Sequence, residues 1–168
     1  MAVKVVRKLN DVHQIARFRT EARVGLSIRH PNVVQVFGVV DNIKFRAILM
    51  HYCGRGNLKK LLPSLSMAQR LWALRCVASG LSFVHDLHIS HRDLKTANVF
   101  VDDAGRVLIG DFGLAKILDE SSGGTFSVAI GTALYMAPEA AQNVCSGDSW
   151  LAADMWSFGI LAYELLTG

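Results

Sequence analysis

HRDLKTAN (residues 91–98) and DFG (residues 111–113) are the stretches whose reading decides the fold of this chain. Their acids, Asp93 and Asp111, stand 18 positions apart. The two runs supply a proton acceptor in Asp93, a phosphate-facing cation in Lys95, and oxygen ligands for a hard metal in Asn98 and Asp111. That set fits transfer of a phosphoryl group from a magnesium nucleotide to a hydroxyl. The transition state of such a transfer spreads negative charge over several oxygens, so catalysis is mostly positioning and charge compensation. One loop can aim Asp93 and Asn98 into a cleft, and a second can bring Asp111 to the same metal. Standing alone, Asp93 reads as a helix cap and Asn98 as a turn residue. The full eight-residue run, followed by DFG at a workable distance, outweighs that plainer reading.

Composition narrows the class. The 168 residues suit one domain, and 51% hydrophobic with 19% charged residues describes a globular chain. The net charge of +4 comes without a run of five basic residues, so it fits a solvated surface with a phosphate site better than a nucleic-acid partner. Cys53, Cys76 and Cys145 are sparse and odd in number, which suits a reducing, cytoplasmic setting. No stretch of eighteen uninterrupted apolar residues suggests a membrane span, and Lys4, Arg7 and Lys8 interrupt any signal-peptide core.

Periodicity places the elements. Val3, Val5 and Val6 begin a strand, and Ile15, Phe18 and Ala22 predict a helix over 12–28, stopped by His30-Pro31-Asn32. Residues 33–40 and 45–51 read as strands, and Tyr52 to Asn57 as a connector. Ser66 and Gln69 form a capping-box signature ahead of a helix whose expected stripe is Leu71, Leu74, Ala78, Leu81 and Phe83. Residues 99–109 read as a hairpin carrying Asn98 at one end and Asp111 past the other. Residues 114–137 read as a mobile segment. Met155 to Leu166 reads as a helix apolar nearly all round, which must be surrounded by protein.

Further text matches a known family. AVKVV (2–6), FRTEARVGLSIRHPNVV (18–34), GTALYMAPE (131–139) and DMWSFGILAYELLTG (154–168) join the two opening runs in one order. Together they make the chain resemble a eukaryotic protein kinase domain over nearly its whole length. GTALYMAPE and NVVQVFGVV, with Lys95 and Thr132, resemble the serine/threonine kinases of the tyrosine-kinase-like group.

The resemblance implies an α+β, two-lobed fold: a β-rich small lobe with one helix (1–50), a hinge (51–56) and a mostly helical large lobe (57–168). It implies ATP and Mg2+ as cofactors and a protein serine or threonine hydroxyl as substrate. Lys4 would pair with Glu21 and steer the phosphates. Ala2 and Phe100 would sandwich the adenine, Met50 would be the gatekeeper, and His51 to Cys53 would offer hinge backbone groups. Asp93 would act as base beside Lys95, with Asn98 and Asp111 on the metal. Arg92, without a local partner in sequence, would receive a phosphorylated residue from among Ser121, Ser122, Thr125 and Ser127. Asp154 would brace the HRD backbone.

Two residues depart from the family pattern. Gly25 stands where a bulky apolar residue belongs and is expected to leave a gap. His51 replaces a usual glutamate, with little consequence expected. No GxGxxG occurs, and the bare final helix ends the chain, so the fold is expected to be truncated at both ends. Weak or no activity is expected of these residues in isolation. The competing reading is an inactive kinase-like fragment acting as a binding or regulatory module. The joint presence of Lys4, Glu21, Asp93, Asn98 and Asp111 favours the enzyme.

Overall fold

A computed structural model describes residues 1–6, 12–42, 45–118 and 133–168. Valine-rich β1 (Ala2–Val6) runs antiparallel to β3 (Arg46–Met50). β2 (Val36–Asp41) pairs with the other edge of β3, giving the order β1-β3-β2. The register shifts between Val36 and Gly38. This bulge turns Val36 inward and leaves Phe37 exposed. α1 (Val12–Ser27) covers this sheet, with Phe18 and Ala22 packed among Val36 and Ile48.

The expected strand over 33–40 begins only at Val36. Val34 instead donates its N–H to the Ile109 carbonyl at 2.8 Å, and Ile109 donates to the Asn32 carbonyl at 2.8 Å. The first residues of that apolar run therefore stitch the small sheet to a hairpin far along the chain, a pairing that local periodicity does not encode.

The connector 51–55 leads to β4 (Gly56–Asn57), α2 (Leu58–Leu61) and α3 (Met67–Asp86). The capping box is present: Ser66 Oγ accepts from Gln69 N, and the Gln69 side chain accepts from Ser66 N. The buried stripe of α3 is Ala73, Cys76, Val77, Gly80, Leu81 and Val84. Leu71, expected on that stripe, is exposed. The true i, i+3, i+4 face runs through the small residues because the backbone comes close there. A Cβ on Gly80 would lie 2.7 Å from the Asn32 carbonyl oxygen.

β5 (Ile89–Ser90) precedes the HRD run, and β6 (Val99–Val101) and β7 (Val107–Ile109) form the expected hairpin, with β4 on its outer edge. β8 (Lys116–Ile117) pairs with β5, so the start of the segment expected to be mobile is tied down. α4 (Pro138–Ala141) leads to α5 (Ser149–Thr167). α5 is not surrounded. Trp150, Ala153, Asp154, Ser157, Leu161 and Leu165 are buried, while Met155, Trp156 and Tyr163 are about half or more exposed. Among the described residues no helix is long and apolar enough to cross a membrane.

Candidate active site

The HRD run leaves β5 and is held from below by one carboxylate. Asp154, 1% exposed on α5, accepts the His91 N–H at 2.7 Å and the Arg92 N–H at 2.8 Å. It also lies 3.0 Å from His85 Nε2. A buried carboxylate is tolerated because each oxygen is bonded. His91 is itself fully buried. Its Nδ1 accepts the Asp93 N–H at 3.2 Å, which leaves Nε2–H to donate to the Gly110 carbonyl at 3.0 Å. Its ring stands 4.8 Å from that of Phe112. The two signature runs thus touch through His91.

Asp93 is held by its neighbours. Lys95 Nζ donates to both carboxylate oxygens, at 2.8 and 2.9 Å. Asn98 Nδ2 donates to Asp93 Oδ2 at 2.9 Å and to its carbonyl at 2.8 Å. The amide nitrogen of Asn98 is therefore spent, and its ligand atom is the amide oxygen. Gly110 N donates to the Asn98 carbonyl at 2.9 Å, setting Asp111 beside it.

Asp111 adopts a left-handed backbone, φ 63° and ψ 64°, a conformation costly for a non-glycine residue and common at functional sites. Lys4 Nζ reaches Asp111 Oδ1 at 3.1 Å and both oxygens of Glu21 at 2.9 and 2.7 Å. Burial favours the neutral amine of Lys4, but the charges of Glu21 and Asp111 outweigh it and raise the pKa. Burial likewise works against the Asp111 carboxylate, yet Lys4 holds its pKa below the ordinary value. Burial raises that of Glu21 despite Lys4.

These groups open onto a cavity of about 330 Å³ lined by Ala2, Lys4, Glu21, Met50, His51, Cys53, Phe100 and Asp111, among others. It is large enough for a small organic ligand. The Asp111 carboxylate in the cavity lining, with the Asn98 amide oxygen one hydrogen-bonded step behind it through Gly110, would form a hard, incomplete donor set. That suits Mg2+, which binds through one or two protein oxygens and completes its shell with phosphates and water.

The comparisons agree with this geometry. The family description "Protein kinase domain" matches residues 1–168. The chain belongs to the protein kinase domain family. It is 33% identical, over all of its length, to mitogen-activated protein kinase kinase kinase 4 of Mus musculus, covering 11% of that protein. It is 36% identical over its whole length to mitogen-activated protein kinase kinase kinase 13-B of Xenopus laevis, covering 16%. Over 92% of its length it is 34% identical to a probable serine/threonine-protein kinase of Bifidobacterium longum, covering 20%. The chain thus spans a tenth to a fifth of the length of these curated relatives.

Several details of this kinase domain differ from, or escape, what the sequence led one to expect. Arg92 does have a partner: its guanidinium lies 4.1 Å above the Trp150 ring. Ser121, Ser122, Thr125, Ser127 and Thr132 fall outside the described residues. His51 has more consequence than expected, for its Nε2 lies 3.0 Å from Asp102 Oδ2, which also accepts from Arg106 Nε at 2.7 Å. Thr96 Oγ1 and the Tyr135 hydroxyl both donate to Glu164 Oε2, the former at 2.9 Å. This joins the catalytic loop, the GTALYMAPE run and α5. The available signal was Glu164 itself, a lone acid in the apolar run 155–166. Nor does Gly25 leave a gap, because Val36 fills the space beside it.

Proposed function

We propose that this chain is the catalytic part of an ATP-dependent protein serine/threonine kinase of the tyrosine-kinase-like group. The observation that carries the reading is one continuous polar line from Asp93 through Asn98 and Gly110 to Asp111, Lys4 and Glu21. Asp93 accepts the proton of the substrate hydroxyl. Lys95, bonded to Asp93, offers its charge to the phosphate in flight. Asn98 and Asp111 would hold Mg2+, which would supply positive charge to the phosphate oxygens. Lys4, oriented by Glu21, positions the nucleotide phosphates. The His51 N–H is already bonded to the Gln35 carbonyl, and the Cys53 carbonyl accepts from Gly56. Adenine recognition therefore falls to the His51 carbonyl and the Cys53 N–H, with Ala2 and Phe100 on the ring faces and Met50 at the back.

With that reading we assign residues 1–50 to the small lobe, 51–56 to the hinge and 57–168 to the large lobe. Three free cysteines suit a reducing, cytoplasmic location.

The test is titration of ATP with magnesium, read by calorimetry, beside phosphate transfer to a serine- or threonine-bearing protein. Asp111→Ala is expected to abolish magnesium-dependent binding and transfer. Asp93→Asn is expected to leave binding intact and lower transfer by on the order of 10²-fold or more. Magnesium-dependent binding without transfer in the full-length protein would identify a binding module instead. Transfer that survives Asp111→Ala refutes the assignment.

A further inference from the structure

A second concave region lies behind the hinge, and it is basic. One cavity of about 350 Å³ is lined by Arg29, His51 and Arg106, among others. A neighbouring one of about 540 Å³ is lined by Trp72, Arg75 and Arg106. Pro31 and Arg106 are common to both, so the two cavities adjoin at these residues and are taken together as one basic trough. The trough shares only His51 with the lining of the nucleotide cleft. Along residues 33–35 the backbone alternates, with Val34 lining the cleft and Val33 and Gln35 the trough.

Charge sets the trough apart. Neither cavity has an aspartate or glutamate in its lining among the described residues. Arg29 and Arg75 are exposed, and neither has a carboxylate partner among the described residues. Arg75 instead lies 5.9 Å from the ring centre of Trp72, which is 55% exposed. The third arginine is braced. Arg106 pairs with the buried Asp102, which also holds His51, while its own side chain remains 57% exposed. Two uncompensated guanidinium groups, a third held in place and an open indole make a surface suited to carboxylates interspersed with an apolar side chain.

We propose that this trough docks an acidic, extended peptide segment of a partner protein. Carboxylates of the segment lie against Arg29, Arg75 and Arg106, and one apolar side chain lies on Trp72. Planar guanidinium groups favour bidentate carboxylate pairing, and charged groups divided between two adjoining cavities suit a chain that can reach into both. The proposal does not depend on phosphate transfer.

The experiment uses fluorescein-labelled decaglutamate containing one central leucine, titrated with the whole chain and read by anisotropy at 50 and 300 mM salt. The matched decaglutamine peptide, a DNA duplex and phosphatidylserine vesicles are run beside it. The glutamate peptide is expected to bind better than the glutamine one, and less tightly at 300 mM salt. The Arg29→Glu/Arg75→Glu variant is expected to weaken binding by about tenfold or more, since two favourable contacts become repulsive. Lys59→Glu/Lys60→Glu, exposed residues outside the trough, is expected to stay within about twofold. If the first variant fails to fold, Arg29→Ala/Arg75→Ala takes its place, with a smaller loss expected. Equal losses in the arginine and lysine variants refute the proposal by showing general attraction to a net-positive chain. So does tighter, arginine-dependent binding of DNA or vesicles, or no preference for glutamate over glutamine.

Discussion

Gly25→Ala is expected to destabilise this domain, although alanine is the better helix former. A β-carbon built on Gly25 falls 2.4 Å from Cγ2 and 3.1 Å from Cβ of Val36. Val36 is 4% exposed and sits on β2 beneath α1. Its branched side chain is stiff at χ1 and cannot swing its methyl aside cheaply. Either α1 lifts from the sheet or Val36 leaves its rotamer, and overpacking of this kind costs about 1–3 kcal/mol. Against it stands about 1 kcal/mol of helix propensity gained. The expected net loss is about 1 kcal/mol, ranging from near zero to about 2. Val36→Ala alone costs about 2 kcal/mol by leaving a cavity. The double variant makes room for the new methyl, so it should be more stable than the two single losses predict, by about 1 kcal/mol or more. Urea unfolding followed by circular dichroism, with the slope unchanged between variants, reads all three differences. A Gly25→Ala variant more stable by about 1 kcal/mol, the behaviour of a helix glycine beside open space, would refute the packing argument. So would strict additivity of the double variant.

Burial pushes the Asp102 carboxyl upward, but bonds from Arg106 and His51 prevail and hold it at about 2. Because the folded value lies below the unfolded one, its stabilisation is present above pH 4 and is lost as pH falls from 4 toward 2. Its size is about 2 kcal/mol, so Asp102→Asn should lower stability at pH 7 by about that much and flatten this acid limb in urea titrations. A variant with an unchanged acid limb contradicts the assignment. Burial and the Asp102 charge push the Cys53 thiol up to about 11. Iodoacetamide should therefore modify Cys53 far more slowly at pH 8 than a free cysteine, and modification at the ordinary rate counts against that environment. Thr96→Val should cost about 1–3 kcal/mol by leaving Glu164 short of a donor, while Thr96→Ser restores stability. Equal losses in both variants would point to packing of the methyl group instead.

The candidate site residues were legible because most of them sit within two short runs. His91 to Asn98 needs only a loop to bring its acid, lysine and amide together, and Asp111 follows one hairpin later. The capping box at Ser66 and the hairpin at 99–109 were equally local. The stripe of α3 was misread because hydrophobicity favoured Leu71, whereas close backbone approach selected Gly80 and Ala73. The start of β2 was misread because Asn32 and Val34 bond to Ile109 of β7, some seventy-five residues later. Gly25 looked like a deletion of volume and proved to be filled by a neighbour that only the sheet register supplies.

The order of motifs in the sequence determined the family and the candidate site residues, since those depend on residue type and short spacing. Tertiary structure decided how they are held. Asp154 and Glu164 on α5 reach back to the catalytic loop, Trp150 receives Arg92, and His51 turns behind the hinge to Asp102. Each of these joins residues more than fifty positions apart, Trp150 and Arg92 through a ring face and the others through hydrogen bonds. Such pairings depend on which surfaces the core brings into contact, and no local pattern records that.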